Sequence, residues 1–134
     1  MVLEASVQFA KSAVPVPDTG SLRSDLVAFV KSLIALMTSP RGQMVAALGQ
    51  SQHPHVVAAR QNLFRLRREL VRQIFDRAVA RGELRLNADP SRFLETLVAP
   101  LYLRLLVTGE SLEDWPYEEM IDRLLQAFTA RCDD

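Results

Sequence analysis

A single cysteine in 134 residues excludes an internal disulfide framework and any cysteine-based zinc cluster, so the fold needs no oxidising compartment. Net charge is lacking too. The 16 Lys plus Arg balance 16 Asp plus Glu, which argues against nucleic-acid binding through bulk electrostatics. No stretch reaches the ~20 apolar residues of a membrane span; the most apolar one, 93–107, contains Glu95, Pro100 and Arg104. The opening MVLEASVQFAKSAV has neither a basic start nor a small-residue cleavage site, so no signal peptide is expected. Strand signals are missing: there is no sustained period-two alternation and no Asn-Gly or Asp-Gly pair. Glycine-rich phosphate loops, a Gly-x-Ser-x-Gly elbow and a histidine–cysteine constellation are absent as well. His53-Pro54-His55, with no acid or thiol nearby in sequence, makes a poor metal site and reads as a polar helix start. Cys132 reads as a spectator thiol, and Glu118-Glu119 as solubility charge on the last helix. These absences point to a soluble, cytoplasmic domain with no metal, no cofactor and no enzyme chemistry.

What is present is helix. Hydrophobic residues make up 49% of the chain and charged residues 24%, enough for one folded domain and too short a chain for two full-sized ones. Helical spacing recurs five or six times, and the punctuation between segments has a physical cause. A weakly amphipathic segment, 2–13, stops at VPVPDTGS, where two prolines remove donors and push the preceding residues out of helical geometry. Ser21 then caps a helix to about Thr38, with Leu22, Leu26, Phe29, Val30, Leu33 and Met37 on one face. Ser39-Pro40 opens a short helix to about Ser51, with Met44, Val45 and Leu48 as its apolar side. Pro54 opens a long helix to Arg81 that ends at Gly82. Asp89-Pro90 opens another, ending near Gly109, and Pro116 the last.

On a wheel at about 100° per residue, Leu63, Leu66, Leu70, Val71, Ile74 and Ala78 of the long helix fill one arc. Arg65, Arg68, Arg72, Gln73 and Asp76 lie opposite. Arg67 falls inside the apolar arc, where an unpaired charge is costly. It is either half of a structural ion pair or a polar anchor in a ligand cavity, unless its stem snorkels to solvent. The helix from Pro90 to Thr108 is apolar around nearly its whole circumference, so it should be buried on every side. Two arrangements satisfy it: a central helix in a monomer, or a four-helix interface in which the last two helices meet the same pair from a second copy, the more economical one. Pro100 should bend this helix, either as a packing kink or as a cavity wall with Tyr102 or Arg104 as polar contacts.

Charge is uneven along the chain. Residues 60–85 hold eight Arg and three acids, whereas residues 86–134 hold four Arg and ten acids. Three readings stay open: solvated faces, contact between the Arg-rich helix and the acidic C-terminal region within or between chains, and a nucleic-acid patch, against which the arginines are neither interleaved with aromatics nor on one face.

The segments VPVPDTGSLRSDL, FDRAVARGELRLNADPSRFLETLVAPLYLRLLVTGE and WPYEEMIDRLLQAFTAR, in this order and spacing, resemble the C-terminal domain of TetR-family transcriptional regulators, often repressors. The resemblance covers almost the whole chain and implies an all-α, orthogonal helical bundle of about six helices. Residues 1–13 resemble the tail of the linking helix, and 14–134 the ligand-binding and dimerisation domain. It further implies a homodimer whose last two long helices form an intermolecular four-helix bundle, through Leu94, Val98, Leu105, Tyr117, Met120, Ile121, Leu124, Leu125 and Phe128. A small hydrophobic effector is implied among helices 21–38, 54–81 and 90–108, lined by Phe29, Leu33, Met37, Phe64, Arg67, Val71, Leu97, Leu101, Tyr102 and Arg104. The family's helix-turn-helix part has no counterpart in these residues, so this stretch alone is expected to bind no DNA. A rival reading is a helical interaction module with a filled core and no ligand.

Overall fold

Serine, histidine and aspartate side chains start three of the helices. The computed structural model describes residues 17–48, 51–84 and 89–129, apart from the side chains of Val45, Ala46, Leu48 and Thr129. Within them lie α1 (Leu22–Thr38), α2 (Pro40–Leu48), α3 (Pro54–Ala80), α4 (Pro90–Tyr102), a π-helical continuation (Leu103–Thr108) and α5 (Tyr117–Thr129), with no strand. The expected helix tail at 2–13, the proline at 15, the apolar roles of Val45 and Leu48, and Cys132 fall outside the described residues.

Ser21 adopts an extended conformation, and its Oγ accepts from the Ser24 amide at 3.2 Å, satisfying one of the donors that a helix start leaves free. At α3 the imidazole of His53 does the same for the His55 amide at 3.2 Å, which gives the first histidine a structural task. Asp89 Oδ1 accepts from Ser91 N at 2.9 Å and more weakly from Arg92 N at 3.4 Å. Between α1 and α2, Ser39 Oγ donates to the Leu36 carbonyl at 2.6 Å and accepts from Gly42 N at 3.0 Å. α3 ends in a left-handed turn at Gly82 (φ +81°), where Glu83 N reaches back to the Ala78 carbonyl at 2.9 Å. Only glycine takes that conformation without strain.

The core is a single cluster drawn from α1, α3, α4, α5 and the loop before α5. α1 packs on α2, α3 and α5; α4 packs on α3 and α5. Phe29 and Phe93 are fully buried, and burying a side chain of this size contributes about 1.5–3 kcal/mol. Phe93 sits between Phe75 and Phe128 in edge-on contacts of 5.2 and 5.0 Å between ring centroids. Leu112 and Trp115 close the end of the core ahead of α5.

Within one chain, two expectations and one open alternative turn out differently. Pro90–Thr108 is not buried on every side there, as the central-helix arrangement of a monomer would require. The α-helix runs through Pro100 and then widens to π winding from Leu103, closed by Gly109 N on the Arg104 carbonyl at 2.8 Å. A π turn takes more residues than an α turn, so the apolar stripe rotates away from the core. Leu103 and Val107 are 51% and 75% exposed, and Leu106 is also open. Met44, expected on the inner side of α2, is likewise exposed. Within one chain, the charge segregation is not seen to bring the Arg-rich helix onto the acidic C-terminal region. Among the described residues, Arg72 pairs with Glu69 and Asp76, Arg77 with Asp18, and Arg81, just past α3, with Asp25 and Glu83, whereas Arg23 of α1 meets Asp122 of α5.

Candidate functional site

Arg67 lies one helical turn before Val71 on the inward side of α3, and the arc that buries Val71 and Ile74 takes Arg67 with it. It is 6% exposed, so snorkelling is not how it meets water. Its Nη1 donates to the phenolic oxygen of Tyr102 at the end of α4. The guanidinium carbon stands 5.9 Å from the Phe64 ring centroid, and Phe64 and Tyr102 are 5.7 Å apart at 35°. A cation over an aromatic face is stabilised by the ring quadrupole. No carboxylate among the described residues forms an ion pair with Arg67, and its Nε is buried without a hydrogen-bond acceptor. Arg77, a half-buried arginine of α3, also has an unpartnered Nε, but Asp18 lies 3.2 Å from its Nη1. Arg67 is therefore the buried cation of α3 without a paired anion among the described residues.

The structure gathers most of the expected lining into one region. Phe29, Leu33 and Met37 of α1, Val71 of α3, and Leu97 and Leu101 of α4 belong to one buried core, with Phe64 and Tyr102 half-buried against it. Arg104 is directed elsewhere: its Nη1 donates to the Ser111 carbonyl at 2.8 Å, because the π winding turns it toward the loop after Gly109. Of the expected interface residues, Leu94, Val98 and Ile121 are buried inside the chain itself, since α4 and α5 pack on each other. Leu105, Tyr117, Met120, Leu124, Leu125 and Phe128 are half-buried.

A second polar cluster escaped the sequence reading. Asp25 is 0% exposed on α1. Its Oδ1 accepts from the amide and hydroxyl of Thr19 at 2.6 and 2.7 Å, and Arg81 of α3 approaches Oδ2 at 3.7 Å. Glu83 continues the cluster, taking Arg81 Nε at 2.7 Å and the Leu22 amide at 3.3 Å. The hydrogen bond to Glu83 holds the Arg81 guanidinium above its ordinary value, against a smaller opposing effect of burial. The signal was weaker than for Arg67: on the α1 wheel Asp25 falls about 40° beyond Phe29, at the edge of the apolar arc rather than inside it. These contacts strap residues 17–21 to the end of α3. Among the described residues no group of three His, Cys, Asp or Glu is placed to hold a metal ion, and no helix is long and apolar enough to cross a membrane.

Residues 16–124 match the family described as the tetracyclin repressor-like C-terminal domain. A curated relative, an uncharacterized HTH-type transcriptional regulator YdeS of Bacillus subtilis (strain 168), is 29% identical over 117 residues. That alignment takes in 85% of this chain and 59% of the relative, so the chain spans under two thirds of the relative's length. The family is one of regulators rather than enzymes. With the match running from the start of α1 into α5, the chain belongs to the TetR family, as a C-terminal regulatory domain.

Proposed function

We propose that this chain senses a small hydrophobic effector and joins two copies of a TetR-type transcriptional regulator. The observation that carries the sensing role is Arg67, a buried cation with no paired anion among the described residues, flanked by Tyr102 and Phe64 at the rim of an apolar core. A group of that kind is costly in a filled core and useful as the polar anchor of a ligand. The dimer rests on a different feature. Leu103, Leu106 and Val107 project from the π-helical end of α4, next in the chain to the loop that leads into α5 and its half-buried apolar residues. Covering such a face with the same face of a second copy satisfies both by symmetry. Transcriptional regulation of the HTH type, the role that the name of YdeS states, comes to this protein as part of the same proposal. Effector control then requires that the ligand bind one of two domain arrangements more tightly than the other.

Native mass spectrometry of the gently purified chain tests both halves. The expected spectrum has the mass of two chains with a small adduct lost on activation. A monomer that keeps the adduct overturns the dimer alone. A dimer that stays bare with a compound panel, paired with the Leu106→Glu variant as a monomer control, overturns the sensing half.

A further inference from the structure

Resting on the sensing role, we propose that the effector is a carboxylate with an apolar body, bound side-on by Arg67. The guanidinium offers two hydrogen-bonding edges. Its Nη1 is committed to Tyr102, while Nε and Nη2 form the edge that meets the two oxygens of a carboxylate side by side. On that edge Nε is buried and makes no hydrogen bond among the described residues. Tyr102 accepts from Arg67 through its phenolic oxygen and so holds the guanidinium from its other edge. The site thus presents one positive charge and a two-donor edge positioned by Tyr102.

The surroundings fix the rest of the molecule. Phe64 stands beside the cation, and Val71, Leu97 and Leu101 belong to the apolar core behind it. A monoanion suits this setting. A phosphate dianion calls for a second cation, and Arg104, the nearest candidate in sequence to Tyr102, is engaged with the Ser111 carbonyl. Arginine rather than lysine is the side chain that matches a planar two-oxygen group.

The test uses the full chain and a panel of matched pairs: octanoate and octanamide, decanoate and decanamide, benzoate and benzamide, phenylacetate and phenylacetamide. Affinities are read by calorimetry for the wild type, Arg67→Met, Arg67→Lys and Tyr102→Phe. At least one acid is expected to bind the wild type tenfold or more tightly than its amide, since charge-assisted hydrogen bonds of this kind exceed the 1.4 kcal/mol that tenfold represents. Arg67→Met is expected to abolish that preference, Arg67→Lys to weaken it, and Tyr102→Phe to reduce it by a smaller factor. If Arg67→Met fails to fold, Arg67→Lys decides, because it keeps the charge and loses the side-on edge. Amides that bind as tightly as acids overturn the anion and leave the sensing role standing. Inorganic phosphate binding as tightly as the acids overturns the carboxylate. A panel in which nothing binds also overturns the proposal, and the sensing role falls with it only when the native spectrum is bare as well.

Discussion

Arg77, in the last turn of α3, donates from Nη2 to the carbonyl of Pro17 at 2.7 Å and holds Asp18 at 3.2 Å through Nη1. The two contacts tie residues sixty positions apart and fix the direction in which the chain enters α1. Charge-assisted hydrogen bonds contribute about 1.5–3 kcal/mol when shielded, and Arg77 is about two thirds shielded. Arg77→Met is therefore expected to lower the unfolding free energy by about 1–2 kcal/mol, read as a lower urea midpoint, and to speed amide exchange in residues 17–21. Asp18→Asn is expected to change stability little, since Asp18 is mostly exposed. Unchanged exchange at 17–21 in Arg77→Met would show that the strap is held by Asp25 alone.

Asp25 makes the larger contribution. Replacing it with Ala leaves two Thr19 donors and the Arg81 charge without their buried acceptor. Breaking such a buried pair costs about 3–5 kcal/mol, and the partial exposure of Arg81 places the expected loss at the low end. Asn keeps an acceptor for Thr19 and loses the ion pair, so Asp25→Asn should fall between wild type and Asp25→Ala. Denaturant titration of the three proteins ranks them, and equal losses for Asn and Ala would assign the whole effect to Arg81.

Gly42 marks where α2 crosses the end of α1. A Cβ there would collide with the Leu36 carbonyl and stand 3.0 Å from the Cα of Met37. The obstacle is backbone, which cannot rotate away as a side chain does. Gly42→Ala is expected to cost about 1–3 kcal/mol, despite alanine's better helix propensity. Thermal unfolding measures it, and a neutral or raised Tm would mean that α2 shifts freely on α1.

The pair that joins α1 to α5 predicts an acid response. Arg23 Nε donates to Asp122 Oδ1 at 2.7 Å; the hydrogen bond holds the Asp122 carboxyl below its ordinary value and the Arg23 guanidinium above its own. A lowered carboxylate contributes stability that is complete above the unfolded value, near pH 4, and is lost as pH falls through the folded one. Asp122→Asn should therefore flatten the stability curve below about pH 4 and change it little at pH 7, because both partners are half exposed. Urea midpoints across that range give the slope, and parallel curves would exclude the pair from the acid response.

The sequence by itself determined where the described helices start and where α3 ends. Ser21, Ser39, Asp89, Gly82 and the prolines at 40, 54, 90 and 116 act on the few residues beside them, so their effect needs no knowledge of the rest of the fold. It also marked Arg67, because a charge inside an apolar arc is visible on a wheel. Asp25 was less legible by that test, because on the α1 wheel it falls at the edge of the apolar arc, beyond Phe29. What only the tertiary structure decided is which neighbour each side chain meets. Tyr102 and Phe64 come to Arg67 from different turns and helices, and Thr19 and Arg81 come to Asp25 across 6 and 56 positions. Arg104 leaves for Ser111 because a π turn changes the rotation per residue, which a fixed 100° wheel cannot register. Leu94, Val98 and Ile121 serve the chain's own core for a related reason: periodicity says that a face is apolar, and only the packing of α1, α3, α4 and α5 says what covers it.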